Sequence, residues 1–342
     1  MFGMKIGIDL GTTSVQIYVG GKGIVLSEPS VAACNAVDNS LICVGERAYE
    51  MVGKNPDSIR VVKPMRNGVI SDFGVTRRIL EYYVERICRH AIFKPRVIVC
   101  MPSTITNLER HTLLDAAIAA GAGRAGLIEE PLAAAIGAGL DISHPYGTIV
   151  VDIGGGTTDI AVITMGSIAI SSSIKVAGNT FDDAIIRYVR YRKGVLIGEL
   201  TAEQIKKSIG CAYLREEEVA MTVKGKDYVS GMPCSFEITS AEIYSALRES
   251  LDRICSLLTS VLEFTPPELA SDIATEGIIL TGGGALLYGM DRLIYNRTGL
   301  HTRVADDAVN CVAKGIGKVL GGMQLLEDEG YIFKTRASDS VF

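Results

Sequence analysis

The chain has 342 residues, of which 48% are hydrophobic and 21% charged, and 34 basic against 39 acidic side chains give it a net charge of −5. This length and composition predict a fully folded α/β protein with two sizeable hydrophobic cores. A negative net charge offers no overall attraction for DNA or RNA, and a chain without tryptophan has little with which to stack bases. We therefore expect no nucleic-acid partner.

The eight cysteines and four histidines do not form a metal-binding pattern. The cysteines are scattered without a Cys-x-x-Cys pair, which is typical of small core residues in a reducing compartment. No apolar run reaches membrane-spanning length, and the first residues lead directly into a predicted strand rather than a signal sequence. These features favour a cytoplasmic protein.

The first motif in the chain is a predicted β-hairpin over residues 6–19. An apolar strand leads to Asp9 and Gly11, the pair Thr12 and Thr13 comes next, and a second apolar strand follows. Glycine exposes backbone N–H groups and threonine adds a hydroxyl, which suits a phosphate chain, while a carboxylate at a strand end suits a hydrated divalent cation. Glycine-rich turns are also common without any ligand, so both interpretations stay open for this motif alone.

An apolar loop is predicted after the next helix. Residues 32–64 are interpreted as a small insertion of short strands and a helical piece, and helical spacing of apolar residues follows over 74–90. Pro95 cannot continue that helix, so Ile92 and Phe93 fall in a loop, which is either tucked into the core or free to make an apolar contact. The loop lies among four basic side chains, Arg86, Arg89, Lys94 and Arg96.

Glu130 is predicted to lie at the start of a helix. It follows a short strand and precedes Pro131, which suits the first position of a helix, and an alanine-rich run continues from there. A carboxylate is favoured at a helix N-terminus for electrostatic reasons alone. The alternative is a carboxylate aimed at a water molecule beside a terminal phosphate.

A second hairpin repeats the first. Residues 149–163 place Asp152 at the end of an apolar strand, and another apolar strand follows the turn. The turn itself is formed by Gly154, Gly155, Gly156 and Thr157. The distance between the two copies is far too long for a solenoid repeat, so it predicts a duplicated domain with one hairpin from each half facing a shared ligand.

The remaining elements complete the pattern. A helix is expected to open at Thr201 and to carry Glu203 and Lys206 on one face, and residues 219–238 are expected to form a hairpin that turns at 224–226. Thr239 is predicted to cap a long helix. The final motif is a buried strand that enters a glycine turn containing Gly283 and Gly284, an arrangement that favours anions or a close nucleotide.

In this order, the motifs resemble the ATPase superfamily of actin, sugar kinases and heat-shock chaperones, and most closely the MreB-type bacterial actins. The resemblance runs from about residue 4 to residue 322, and its most specific stretches are residues 28–31, 66–72, 265–270 and 304–307. One departure is Asp159, where MreB-type proteins usually carry glutamate. It lies just beyond the expected phosphate contacts and leaves the hydrolysis rate open.

The resemblance implies an actin-like ATPase fold, in which two duplicated α/β domains, each with a core and an inserted subdomain, surround a nucleotide cleft. The expected boundaries are 1–145 for the first domain (core 1–31 and 65–145, insertion 32–64), 146–320 for the second (core 146–180 and 255–320, insertion 181–254), and 321–342 for a C-terminal segment that returns to the first domain and ends in a tail.

The resemblance also implies the cofactors ATP and Mg²⁺ and a site residue by residue. Asp9 and Asp152 would surround the metal, and Glu130 with Thr157 would orient the attacking water. Glu203 and Lys206 would contact the ribose or the adenine. The expected phosphate and nucleotide contacts come from the three glycine motifs: Gly11, Thr12, Thr13, Gly154, Gly155, Gly156, Thr157, Gly283 and Gly284.

The implied activity is slow, Mg²⁺-dependent ATP hydrolysis linked to self-assembly into filaments, expected to be paired. The implied place is the inner face of the cell membrane, with lipid contacted through Ile92 and Phe93. Cell-wall synthesis and membrane morphogenesis proteins are the implied partners, and rod shape the implied outcome. The alternative is a non-polymerising sugar-type kinase of the same superfamily, since the ATP motifs alone fit both.

Overall fold

The computed structural model describes residues 3–66, 68–89, 93–103 and 105–321, together with the backbone of a short strand at 333–335. Within these ranges no helix is both long and apolar enough to cross a membrane. The strands are β1 Lys5–Leu10, β2 Ser14–Val19, β3 Gly23–Pro29, β4 Ala32–Asn35, β5 Leu41–Val44, β6 Ile59–Val62, β7 Met65–Arg66, β8 Val69–Ile70, β9 Arg96–Met101, β10 Arg124–Glu129, β11 Thr148–Ile153, β12 Thr158–Thr164, β13 Ser167–Ile174, β14 Val195–Leu196, β15 Ala220–Asp227, β16 Pro233–Thr239, β17 Ile278–Thr281, β18 Thr302–Val304 and β19 Phe333–Thr335. The helices are α1 Glu46–Tyr49, α2 Phe73–Cys88, α3 Asn107–Ala119, α4 Glu130–Gly137, α5 Gly178–Lys193, α6 Glu199–Ile209, α7 Ser240–Phe264, α8 Pro267–Glu276, α9 Met290–Thr298 and α10 Cys311–Gly321.

Two sheets that share a five-strand order form the framework, and the first has β19 as a sixth strand at its edge. The first runs β19-β10-β9-β1-β2-β3 and the second runs β13-β12-β11-β17-β18. In each, a hairpin and a third antiparallel strand are extended by two parallel strands, since β1 pairs in parallel with β9 and β11 with β17. The predicted duplication is therefore confirmed at the level of sheet topology.

Helices α4 and α10 pack between the two sheets. They cross at small residues: a side chain on Gly315 would overlap the Ala133 carbonyl, and one on Gly137 would overlap the Cys311 carbonyl. Such close crossing requires glycine because the backbones are nearly in contact. The surrounding apolar core takes residues from both sheets, including Ile98 of β9 and Val150 of β11, and so joins the two halves at their base.

The other cores follow the two halves. One buries the first sheet against α2 and α3, and a larger one buries the second sheet together with α5, α6 and α7. The segment from 32 to 64 has a small cluster of its own around Val31, Ala33, Cys43 and Ala48. The expected domain and subdomain boundaries stay a prediction.

Local sequence patterns predict the ends of several helices and strands correctly and the ends of others wrongly. Thr239 caps α7, as the sequence predicts, and it does so through a capping box, which Thr106 also forms at the start of α3. Two expectations were wrong. Helix α6 begins at Glu199 rather than Thr201, and residues 224–226 lie inside β15, which turns only after Asp227, because a ladder of backbone pairs with β16 extends the strand.

Candidate functional site

The first hairpin tip is held by its own backbone. Gly11 donates its N–H to the Ser14 carbonyl at 3.0 Å, which closes the turn between β1 and β2. The Thr12 hydroxyl accepts a hydrogen bond from the Gly68 N–H at 3.1 Å and is buried, whereas Thr13 is exposed. Thr13 is therefore the hydroxyl of this tip that faces outward.

The second hairpin tip is held by helix α5. The N–H groups of Gly178 and Asn179 donate to the carbonyls of Gly154 and Gly155 at 3.1 and 2.7 Å. The Gly154 N–H closes the turn on the Thr157 carbonyl at 2.9 Å, so an anion at this tip would be bound by the N–H groups that follow Gly154. A side chain on Gly155 would overlap Thr13, so the two tips touch. The shared ligand predicted between them stays a prediction.

Carboxylates from both halves meet behind the tips. The side-chain ligand atoms of Asp9, Cys100 and Glu130 lie within 4.8 Å of one another. Burial and the nearby Asp152 charge raise the pKa of Asp9 to about 7. Burial raises the pKa of Asp152 to about 6, although a hydrogen bond of 2.7 Å from the Thr281 hydroxyl opposes the rise. Among the described residues no cation is a cause of either shift, so the site concentrates negative charge.

Glu130 is the most perturbed acid of this group. Burial, followed by the charges of Asp159, Asp9 and Asp152, raises its pKa well above the usual range. Asp159 is 1% exposed, and neither of its carboxylate oxygens has a hydrogen bond of normal geometry. Burial raises the pKa of Asp159, while the Thr157 and Ser173 hydroxyls nearby lower it in part. Thr157 also borders a cavity of about 260 Å³.

The third glycine motif lies directly behind Asp152. Gly282 has φ +80°, and a side chain there would meet the Ile153 carbonyl and the Asp152 carboxylate. Gly284 packs on the Ile153 side chain, whereas nothing lies within 4 Å of the side-chain position of Gly283. Of the two predicted contacts, Gly283 faces open space and Gly284 packs on protein.

Helix α6 lies beside the second tip. Lys206 Nζ donates to the Gly178 carbonyl at 2.9 Å and to Asp182 Oδ2 at 2.8 Å, at the start of α5. Glu203 does not pair with Lys206 and instead binds Lys207 at 2.7 Å and the Tyr49 hydroxyl. Both predicted nucleotide contacts are thus already engaged with protein partners.

Four residues of this site escaped the sequence reasoning: Cys100, Tyr49, Asp182 and Thr281. Thr281 had a usable signal, because it ends the predicted buried strand directly before the glycine turn, and the observed register then places it opposite Asp152. Asp182, Tyr49 and Cys100 had none, since their positions depend on how α5, α1 and β9 pack. Of the predicted membrane loop, Ile92 lies outside the described residues and Phe93 is 52% exposed.

Two sheets of equal topology, joined by crossing helices and presenting facing glycine–threonine hairpins, define an actin-like protein. A solved structure of MamK, described as a double helical filament, has the same fold, with a TM-score of 0.80 at 19% identity over 93% of this chain and 98% of that chain. More closely, the chain belongs to the MreB/Mbl protein family, whose model matches residues 3–328.

Close relatives agree with this assignment. The chain is 47% identical to the cell shape-determining protein MreB of Escherichia coli strain K12, over 94% of each chain. The crystal structure of MreB5 of Spiroplasma citri bound to ADP superposes with a TM-score of 0.92, at 41% identity, over 96% of this chain and 99% of that chain. The resemblance stated from the sequence motifs is confirmed.

Proposed function

We propose that this chain is an ATP-dependent cytoskeletal filament protein and a slow, Mg²⁺-dependent ATPase. The observation that carries the proposal is the contact between the two hairpin tips, with Asp9, Asp152 and Glu130 gathered behind them. Support comes from the similar E. coli protein, which is named for cell-shape determination, and from the similar S. citri protein, solved with ADP and with AMPPNP.

The residues present fit a magnesium–triphosphate group in two ways. Asp9 and Asp152 are hard oxygen ligands of the kind Mg²⁺ prefers, and their raised pKa values show negative charge that a cation would stabilise. Gly155 leaves no room for a side chain between the two hairpins, because one there would overlap Thr13, while Gly283 opens on free space. Bound Mg²⁺ would supply positive charge that stabilises charge development on the phosphate.

The chain's own residues then have separate tasks. The tip N–H groups and Thr13 bind phosphate oxygens, and Glu130 with Thr157 orients the attacking water. A cation held by Asp9 and Asp152 would reduce two of the negative charges that act on Glu130, whose carboxyl would hold the attacking water in place. Phosphoryl transfer needs positioning and charge neutralisation more than a strong base, which fits slow hydrolysis.

The test combines phosphate release with sedimentation. Glu130→Ala is expected to keep ATP binding and to lose phosphate release by about 10²-fold, the lower end for general-base groups. Asp9→Ala is expected to weaken the binding of Mg²⁺–ATP itself. Glu217→Ala, at an exposed position, is the matched control and should behave as wild type.

The same experiments distinguish a filament-forming protein from a non-polymerising sugar-type kinase. ATP-dependent pelleting, with paired filaments by electron microscopy, is the expected result. Unchanged phosphate release by Glu130→Ala would contradict the role given to Glu130. Failure to form filaments with any nucleotide, together with phosphate transfer to a sugar, would favour the non-polymerising kinase.

We further propose that the filament lies at the inner face of the cell membrane and organises cell-wall synthesis and membrane morphogenesis proteins to maintain rod shape. The exposed Phe93 side chain supports a lipid contact, with Ile92 as its predicted neighbour. Burying one such apolar side chain yields about 1.5–3 kcal/mol, and nearby basic residues add about 1 kcal/mol each on anionic lipid. A single subunit therefore binds weakly, and a filament binds firmly through many copies of the loop.

A further inference from the structure

Helix α6 contacts the second half of the molecule on one side and the 32–64 segment of the first half on the other. Its inner side is fixed to the second half of the molecule through Lys206, which binds Asp182 and the Gly178 carbonyl. Its outer side carries Glu199 and Glu203, four residues apart and therefore on one face of the helix. Both of these glutamates contact the 32–64 segment, which belongs to the first half.

Two contacts connect the halves at this face. The Tyr49 hydroxyl of α1 donates a hydrogen bond to Glu203 Oε2, and Lys63 Nζ, just after β6, binds Glu199 Oε2 at 2.7 Å. The ion pair is exposed, with side-chain exposures of 30% and 57%, so it contributes little alone. The Tyr49 contact is partly buried and has an ionised acceptor, so it is the stronger of the two.

The protonation states favour this hydrogen bond. Burial and then the Glu203 carboxylate raise the pKa of Tyr49 well above its usual value, so its hydroxyl stays a donor. Burial alone would raise the pKa of Glu203, but hydrogen bonds from Lys207 and Tyr49 outweigh it and the pKa is lowered. Glu203 Oε1 is taken by Lys207, so Oε2 carries the Tyr49 contact.

We propose that Tyr49 and Lys63 form a latch across the nucleotide cleft, in which Tyr49 also positions the Glu203 carboxylate for the ribose hydroxyls. The inference rests on the nucleotide site proposed above. Nucleotide leaves only when α6 separates from the 32–64 segment, so the two contacts set the release rate. Because a ribose hydroxyl must share Oε2 with Tyr49, the same tyrosine affects how strongly the site distinguishes ribose from deoxyribose.

The experiment measures the dissociation of radiolabelled ATP, with Mg²⁺ and excess unlabelled ATP, from protein too dilute to polymerise. Tyr49→Phe is expected to release ATP about 10-fold faster, the size of a lost hydrogen bond to a charged group. It should also reduce the preference for ATP over 2′-deoxy-ATP. Tyr191→Phe, on an 81% exposed tyrosine, is the matched control and should change neither quantity.

A charge exchange tests the second contact. Lys63→Glu and Glu199→Lys are each expected to speed release about two- to fivefold, in keeping with an exposed ion pair. The double variant restores the opposite charges in reversed positions and should return to within about twofold of wild type. If the two contacts only stabilised the fold, the variants would have a lower thermal midpoint. The double charge exchange would then not restore the release rate, and Tyr49→Phe would not change the sugar preference.

Different results would overturn the nucleotide site and the latch. If wild-type protein binds no ATP, the nucleotide site itself is overturned, and the latch with it. If wild type binds ATP but Tyr49→Phe leaves both the release rate and the sugar preference unchanged, the latch alone is overturned. Faster release by the double charge exchange than by either single variant would likewise reject the ion pair.

Discussion

Asp9→Asn is expected to make the folding stability of the metal-free and nucleotide-free protein less dependent on pH. Burial and the Asp152 charge raise the pKa of Asp9 from 3.8 to about 7 in the folded state. A carboxyl with a raised pKa binds its proton more tightly when folded, so stability is highest at low pH and falls as the pH rises toward 7. Because asparagine cannot ionise, the variant does not lose this part of its folding stability as the pH rises.

The size of the effect follows from the pH window. Between pH 5 and pH 7 the folded chain keeps the Asp9 proton that the unfolded chain has released, and each pH unit costs about 1.4 kcal/mol. The upper limit is therefore about 3 kcal/mol. Because Asp9 keeps partial contact with solvent, screening reduces the expected change in the free energy of unfolding to about 1–2 kcal/mol.

The assay is thermal or urea unfolding at pH 5 and pH 8, with a chelator and without nucleotide. Wild type should lose more stability between the two values than Asp9→Asn, and at pH 8 the variant should be the more stable protein, although it no longer binds Mg²⁺–ATP well. Asp57→Asn, at an exposed carboxylate, is the control. Equal pH dependence of wild type and Asp9→Asn would show that the pKa of Asp9 is not raised in the folded protein.

Three further results are expected. Replacing Ile92 and Phe93 together by serine should reduce co-sedimentation with anionic liposomes at equal filament content, because the loop loses its apolar side chains. Thr281→Val removes the hydrogen bond to Asp152, so the pKa of Asp152 rises and the affinity for Mg²⁺–ATP falls severalfold at pH 6 and less at pH 8. Thr239→Ala removes the cap of α7 and should cost about 1 kcal/mol of stability, seen in thermal unfolding, with ATP affinity unchanged.

Each of these three predictions would be contradicted by a specific result. Equal liposome binding by the double serine variant would reject the loop and direct attention to the N-terminal residues, where Gly3 lies against the Lys94 carbonyl. A loss of affinity in Thr281→Val that is the same at both pH values would show that the hydroxyl does not act through the Asp152 proton. An unchanged thermal midpoint in Thr239→Ala would mean that tertiary packing alone holds the start of α7.

The repeated part of this protein could be predicted from the amino-acid pattern alone. The order apolar strand, aspartate, glycine, threonine, apolar strand occurs twice, and both copies form hairpins in sheets of equal strand order. Strand alternation, glycine turns and capping boxes act over a few residues, so a local pattern is enough to predict them. The family resemblance rests on the same short motifs.

Only the tertiary structure decided how groups distant in the chain meet. Nothing local to Tyr49 or Cys100 indicates that one reaches Glu203 on α6 or that the other lies beside Asp9 and Glu130, because both depend on the packing of whole halves. Burial also set the charge state of the site, since the unusual pKa of Glu130 comes from its neighbours in space. The sequence specifies the residue types. The desolvation of the carboxylates and the charge interactions between them arise only when the two halves pack together.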